Sequence, residues 1–152
     1  MDELQLGPAA ETDIDDINTV ILAAKRHWGY SEELISLWLP DMVVDTKRLQ
    51  IRQFWVVRSE VSIVGVLSLA ETDTTEAELE DLWVLPDYMG MGIGRQMMTF
   101  VLGYMRQACI SRLKIVAEPN AEGFYRKMGA ERIGWQPSIP PGRMLPVMVL
   151  EP

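Results

Sequence analysis

One short stretch constrains the fold more than any other part of the chain: an apolar run, a proline, three alternating glycines and the start of a helical pattern. It reads Leu82-Trp83-Val84-Leu85-Pro86-Asp87-Tyr88-Met89-Gly90-Met91-Gly92-Ile93-Gly94-Arg95. The apolar run favours a strand, and the residues after the glycines have helical periodicity. Glycines leave backbone N–H groups unshielded, and the positive end of a helix dipole faces the same space. The stretch therefore predicts a strand, a loop able to hold phosphate, and a helix.

The rest of the chain predicts a mixed sheet with helices on both faces. Apolar runs and alternating patterns predict strands at residues 4–6, 54–58, 62–70, 77–85, 112–117, 131–135 and 144–150. Apolar residues spaced by three and four predict helices at residues 12–28, 31–39, 93–108 and 121–128. Residues 41–53 have no clean period, so we expect a loop there.

Local signals predict how several of these elements begin and end. Thr12 and Asn120 are expected to cap the N-termini of helices, and Pro40 is expected to stop the second helix. Gly29 is expected to end the first helix, and Gly129 to end the short last helix in the left-handed conformation. Gly7-Pro8 is expected to close the first strand as a turn, whereas Gly65 indicates a bulge or a close approach of backbone.

Composition bounds the class of protein. A chain of 152 residues, with 48% hydrophobic and 24% charged residues, is able to bury its own core, and we expect a single domain over residues 1–152. Cys109 is alone, so no internal disulfide forms, and a reducing, cytoplasmic location is expected. No apolar run reaches the roughly eighteen residues of a membrane span, so no membrane partner is expected.

The net charge of -8 bears on the partner. Nucleic-acid backbones are held by an excess of Lys and Arg, so we expect no nucleic-acid partner. An acidic surface suits a cationic substrate better. One histidine and one cysteine do not supply a ligand set, so no metal site is expected. The oligomeric state is open, with a homodimer among the alternatives.

The glycine spacing narrows the kind of phosphate loop. A nucleoside triphosphatase loop needs Lys and then Ser or Thr at the helix start, whereas Gly94 is followed by Arg95-Gln96. A dinucleotide fingerprint needs its third glycine one residue later than Gly94, so that interpretation is weak.

A second motif joins the loop: Asn120-Ala121-Glu122-Gly123-Phe124-Tyr125-Arg126-Lys127-Met128-Gly129-Ala130. Together with Val84-Leu85-Pro86-Asp87-Tyr88 and the glycines, it resembles the GNAT superfamily of acyl-CoA-dependent N-acetyltransferases. The family's loop pattern, Arg/Gln-x-x-Gly-x-Gly/Ala, matches here except at Met89, which replaces its first residue. The resemblance implies an α/β fold with a mostly antiparallel sheet of about seven strands and about four flanking helices.

The resemblance also implies that acetyl-CoA is the co-substrate, with loop amides on its pyrophosphate and strand backbone beside its pantetheine arm. The residues implied in binding it are Leu82, Trp83, Val84, Met89, Gly90, Met91, Gly92, Ile93, Gly94, Arg95, Asn120 and Tyr125. Met89 lacks the charge or amide expected there, so one side-chain contact is lost.

Acetyl transfer to an amine needs a base, polarisation of the thioester carbonyl, and a proton for the leaving thiolate. The base is required because an alkylamine has a pKa of about 10.4. Glu80 lies with Glu78 on one face of the strand before the loop, opposite Leu79, Asp81 and Trp83. The resemblance implies that Glu80 is the base, directly or through water, and that Tyr125 protonates the thiolate. The alternatives are a solvated strand acid and a core aromatic.

The acceptor is open. The resemblance places its site near Trp28 and Tyr30, with Glu80 and Trp38 as further candidates, although aromatics at helical spacing are more often core. We expect transfer of an acetyl group to a primary amine, and the acidic balance favours a small cationic one. A protein N-terminus or lysine, a longer acyl group, and a coenzyme A-binding sensor or interaction module without turnover stay as alternatives.

Overall fold

A computed structural model describes residues 3–152 of the chain and confirms the mixed α/β class. The strands are β1 (Gln5–Pro8), β2 (Gln53–Arg58), β3 (Ile63–Glu71), β4 (Glu76–Val84), β5 (Arg112–Val116), β6 (Glu131–Pro137) and β7 (Met144–Leu150). They form one seven-stranded sheet in the order β1-β2-β3-β4-β5-β7-β6. The pairs β1–β2, β2–β3, β5–β7 and β6–β7 are antiparallel, whereas β4–β5 is parallel.

Five α-helices accompany the sheet in the described residues, one more than the approximate number predicted. They are α1 (Ile14–His27), α2 (Glu32–Met42), α3 (Thr46–Ile51), α4 (Ile93–Gln107) and α5 (Glu122–Lys127). The chain divides into two compact units: residues 3–69 with 81–97, and residues 70–80 with 98–152. The first unit contains the glycine loop, and the second contains the motif around Tyr125.

The core of the first unit follows from the spacing in α1. Ile17, Val20 and Ile21 fall on one face of the helix and are almost completely buried against the strand residues Val56 and Val66. The helix ends before Gly29, whose φ of 81° is the left-handed conformation that glycine adopts without strain. Gly29 therefore ends α1 as predicted.

Gly65 confirms both features expected of it. The β2–β3 register shifts between Val57 and Arg58, directly opposite this residue. A Cβ at Gly65 would lie 3.2 Å from the Cγ2 atom of Ile93 and 3.3 Å from the Cβ atom of Val57. The missing side chain thus lets the start of α4 pack closely on β3.

The core of the second unit is built from cross-strand pairs. Leu113 pairs with Leu150 and Ile115 with Met148, and all four side chains are buried. α5 ends at Lys127, and Gly129 follows two residues later with a φ of 101°, which confirms the predicted left-handed position. The strands predicted at β5 and β7 and the predicted helix end at Gly129 are thereby confirmed.

Two predictions between the second helix and β2 were wrong. Pro40 lies inside α2 rather than ending it. The guanidinium of Arg48 donates to the carbonyl oxygens of Asp41 at 2.7 Å and Val43 at 2.8 Å, which satisfies acceptors at the helix end. The stretch expected to be a loop contains α3. The Asp45 carboxylate caps this helix by accepting a hydrogen bond from the backbone amide of Arg48. Six residues are too few to display a helical period.

Two N-terminal predictions were also wrong. Gly7 and Pro8 belong to β1, paired with Val56 and Trp55, because an edge strand tolerates a residue without an amide hydrogen. Thr12 does not cap α1; it lies in a 3₁₀ turn, Glu11–Asp13, that precedes the helix. The Asp13 carboxylate instead accepts the Ala10 amide at 2.8 Å.

Candidate active site

The glycine loop leads directly into α4. Gly90 and Gly92 have φ values of 80° and 83°, a region that disfavours side chains, and a Cβ at either would project into open space. The amide of Gln96, in the first turn of the helix, donates to the Gly92 carbonyl at 2.9 Å. The preceding amides are the donors that a helix start leaves for a capping group or an anion. An unshielded, donor-rich turn of this kind fits a phosphate group.

The side chains of the loop add little charge. Met89 is extended, and its amide donates to the Pro86 carbonyl at 3.1 Å, which closes a 3₁₀ turn before the glycines. Met91 is exposed, as is Arg95 in the first turn of α4. The backbone amides are therefore the main donors that this loop offers to an anion, with Arg95 as the nearby cation in the sequence.

Strand β4 has the two faces predicted for it. Leu79 and Asp81 are buried, whereas Glu78 and Glu80 are half-buried. The parallel pairing with β5 runs from Glu76 to Leu79, so residues 82–84 lie beyond it. Strand backbone past the end of a pairing is suited to hydrogen bonding with an extended ligand.

Asp81 is a feature of the first unit that sequence reasoning did not single out. Its carboxylate accepts hydrogen bonds from the Ser68 hydroxyl at 2.6 Å, the Trp83 indole N–H at 3.0 Å and the Arg52 guanidinium at 3.4 Å. The side chain is only 8% exposed. The available signal was a carboxylate on the buried face of a strand, because a buried charge needs partners. The cluster fixes the ring of Trp83.

Tyr125 and Asn120 lie in the second unit, as does Glu80. Tyr125 is 6% exposed and makes an edge-to-face contact with Phe124, with 5.3 Å between ring centroids. Asn120 was predicted to cap the short helix, and this was wrong. α5 begins at Glu122 with Ala121 before it, since Pro119–Ala121 forms a 3₁₀ turn. Asn120 instead donates its amide hydrogen to the Glu118 carboxylate at 2.7 Å.

The aromatic residues predicted for the acceptor lie in the first unit. Trp28 is 38% exposed at the end of α1. Tyr30 and Trp38 meet edge to face with 4.9 Å between centroids. The ammonium of Lys25 lies 4.8 Å from the Tyr30 ring centroid and 4.6 Å from that of Trp38. This pair of rings therefore already holds a cation of the chain itself.

Comparison with known proteins identifies the family. Residues 22–130 match the acetyltransferase (GNAT) family. The chain belongs to this family. Its GNAT fold is also that of a PaiA N-acetyltransferase from Thermoplasma acidophilum solved with coenzyme A (TM-score 0.78, 19% identity, 98% of this chain and 99% of that one). A GCN5-related N-acetyltransferase structure from Rhodopseudomonas palustris gives a TM-score of 0.80 at 20% identity, covering 97% and 94% of the two chains.

A curated relative is similar over part of this GNAT chain. The N-acetyltransferase ycf52 of Porphyra purpurea is 34% identical over 71 residues, which cover 47% of this chain and 41% of that protein. The match therefore spans about two fifths of the curated relative's length.

Among the helices of residues 3–152, none has both the length and the apolar character needed to cross a membrane. The same residues contain no group of three or more His, Cys, Asp or Glu side chains placed to hold a metal ion.

Proposed function

We propose that this GNAT chain transfers an acetyl group from acetyl-CoA to a primary amine. The observation that carries the proposal is the glycine loop, where Gly90 and Gly92 adopt left-handed conformations immediately before the donor-rich start of α4. A pyrophosphate offers several acceptor oxygens and negative charge, which suits both the amides and the helix dipole. The sequence of the loop and the motif around Tyr125 support coenzyme A as the carrier of that pyrophosphate.

Each chemical step has a proposed residue. Glu80, directly or through water, accepts a proton from the ammonium form of the acceptor, and the neutral nitrogen attacks the thioester carbonyl carbon. A backbone N–H of residues 82–85 polarises the carbonyl oxygen. When the carbon–sulfur bond breaks, the Tyr125 hydroxyl gives its proton to the thiolate, and the amide nitrogen loses its second proton to water. Glu80 then releases its proton to solvent, and Tyr125 regains one from it. Direct transfer of this kind needs no covalent enzyme intermediate.

A small cationic amine is the acceptor that the chain's charge favours. The net charge is -8, and a negative surface concentrates cations. The ammonium of Lys25 makes cation–π contacts with the rings of Tyr30 and Trp38. A small cationic amine is suited to the same kind of contact with an aromatic ring. A protein amine is the alternative, since one chain of similar fold is the ribosomal-protein-S18-alanine N-acetyltransferase of Escherichia coli.

A coenzyme A-binding sensor without turnover is the second candidate function, and Met89 is the observation that favours it. Mass spectrometry after incubation with acetyl-CoA tests both, using spermidine, a peptide beginning with alanine and a peptide containing an internal lysine. Acetylated product that falls at least tenfold with Tyr125→Phe supports the enzyme. Binding of coenzyme A without any acetylated amine supports the sensor.

The remaining sequence predictions belong to this proposal. They are a single domain, a cytoplasmic location, an acetyl rather than a longer acyl donor, and a partner set without nucleic acid or membrane. A homodimer is neither required nor opposed by the roles assigned above. Catalysis as proposed needs no metal ion.

A further inference from the structure

A small polar cluster in the second unit connects Asn120 to the loop between β6 and β7. The side chains of Glu118 and Arg143 are 11% and 17% exposed, and Arg143 Nη2 lies 3.8 Å from Glu118 Oε2. Arg143 Nη1 donates to the Ser138 hydroxyl at 3.1 Å. The other carboxylate oxygen, Oε1, accepts from Asn120 Nδ2 at 2.7 Å. One mostly buried carboxylate thus joins a guanidinium and an amide.

The chemistry of the carboxylate fixes which way the Asn120 amide points. A carboxylate oxygen only accepts hydrogen bonds, and only the nitrogen of a primary amide donates them. The atom of Asn120 that faces Glu118 is therefore Nδ2, and the amide directs its oxygen, Oδ1, elsewhere. Asn120 itself is exposed, so a ligand has access to this side chain.

We propose that Glu118, held by Arg143, is a positioning residue that presents Oδ1 of Asn120 to an N–H group of the pantetheine arm. This rests on the proposed function, in which Asn120 binds that arm. Pantetheine contains amide N–H groups as well as carbonyls. An asparagine whose side-chain amide is able to flip presents it with either a donor or an acceptor. Because Nδ2 of Asn120 donates to Glu118, the amide presents its acceptor, Oδ1. A solvent-exposed asparagine without the carboxylate has no such preference.

The variant Glu118→Gln tests this polarity with little change in shape. Arg143 only donates, so the new amide places its oxygen toward the guanidinium and its nitrogen toward Asn120. Asn120 then turns over to accept that nitrogen, and its own Nδ2 replaces Oδ1 at the ligand. A donor now faces a donor, and the hydrogen bond to the pantetheine N–H is lost.

Titration calorimetry with two ligands separates this effect from general damage. Coenzyme A carries the pantetheine arm, whereas adenosine 3′,5′-bisphosphate carries only its nucleotide end. We expect Glu118→Gln to weaken coenzyme A binding about tenfold, the scale of one lost hydrogen bond, and to leave the bisphosphate within twofold. In the background of Asn120→Ala, Glu118→Gln has no further effect. Glu131→Gln, at an exposed position of β6, is the matched control and binds both ligands as the wild type does.

Three results would overturn the proposal: unchanged coenzyme A affinity in Glu118→Gln, equal weakening of both ligands, or the same weakening when Asn120 is already alanine. If Glu118→Gln does not fold, Glu118→Asp and Glu118→Ala are compared instead. Glu118→Asp retains the carboxylate and is expected to bind coenzyme A more tightly than Glu118→Ala. Wild-type protein that fails to bind coenzyme A rejects the donor half of the proposed function as well. If the wild type binds coenzyme A and Glu118→Gln binds it with the same affinity, only this inference is rejected.

Discussion

Ser68 donates a hydrogen bond of 2.6 Å to the carboxylate of Asp81, and the two residues are 0% and 7% exposed. Ser68 lies on β3 and Asp81 on the neighbouring strand β4, so the bond joins two strands inside the first unit. Trp83 and Arg52 donate to the same carboxylate. The buried carboxylate of Asp81 is therefore held by partners from three parts of the sequence.

Removing the Ser68 hydroxyl is expected to destabilise the protein. Ser68→Ala leaves a buried carboxylate short of one donor, which costs about 1–3 kcal/mol of unfolding free energy. Urea unfolding at pH 7 measures it. Ser62→Ala, at an exposed position, is the control and should change the free energy by less than about 0.5 kcal/mol. Equal effects of the two substitutions would show that the bond to Asp81 contributes nothing.

The pair of Asp13 and Arg58 is expected to make stability depend on pH. The hydrogen bond from Arg58 lowers the pKa of the Asp13 carboxyl below its ordinary value, against an opposing effect of burial. A lowered folded-state pKa stabilises the protein above the unfolded-state pKa, and the contribution disappears as the pH falls through the folded value.

Asp13→Asn should therefore lower the unfolding free energy by about 1 kcal/mol at pH 7. The expected loss is no larger because Arg58 is partly exposed, and solvent weakens its attraction to the Asp13 carboxylate. The difference from wild type should shrink as the pH falls below about 4. Urea unfolding at pH 7 and pH 3 tests this. A difference of the same size at both pH values would contradict the titration of Asp13.

Two glycine-to-alanine substitutions should change the stability of the protein in opposite directions. Gly65→Ala places a Cβ 3.2 Å from Ile93 and 3.3 Å from Val57, and such overpacking costs about 1–3 kcal/mol. Gly103→Ala, inside α4 with open space around it, should stabilise by about 0.5–1 kcal/mol because alanine favours helix. Thermal unfolding of the two variants gives the signs. Stabilisation by Gly65→Ala would refute the close approach of α4 to β3.

Restoring a cation at position 89 should strengthen coenzyme A binding. Met89→Arg adds a guanidinium beside the proposed pyrophosphate loop, and a charge-assisted contact there should lower the dissociation constant about threefold to tenfold. Met91→Arg changes the net charge equally and is the matched comparison. Fluorescence titration with coenzyme A distinguishes a specific contact from general attraction. Equal gains from both substitutions would mean that position 89 has no special role.

Sequence patterns predicted the sheet, the long helices and the loop because each depends on periodicity or on glycine. Gly65 and Gly129 were predictable because the absence of a side chain itself signals a close approach or a left-handed turn. Pro40 was misjudged, since the carbonyls at the end of α2 are satisfied by Arg48 from outside the helix. That kind of compensation is invisible to local rules.

The side-chain clusters were also beyond sequence reasoning. Asp81 was placed on the correct face of β4, but its partners Ser68 and Arg52 come from distant positions in the chain. Asn120 has the residue type of a cap, yet the proline before it produces a 3₁₀ turn, and its amide contacts Glu118 instead. Capping depends on backbone angles at one residue, which a preference for residue types does not determine.

Binding of coenzyme A to the glycine loop is the central claim, and titration calorimetry of three proteins tests it most directly. The proteins are wild type, Gly92→Ala and Gly29→Ala; the two glycines have φ values of 83° and 81° and open space for a Cβ, so alanine strains both alike. The account predicts binding at a single site in wild type and Gly29→Ala, with at least about a tenfold loss in Gly92→Ala because the amide cradle is distorted. Equal affinity in all three, or no binding by wild type, would contradict it.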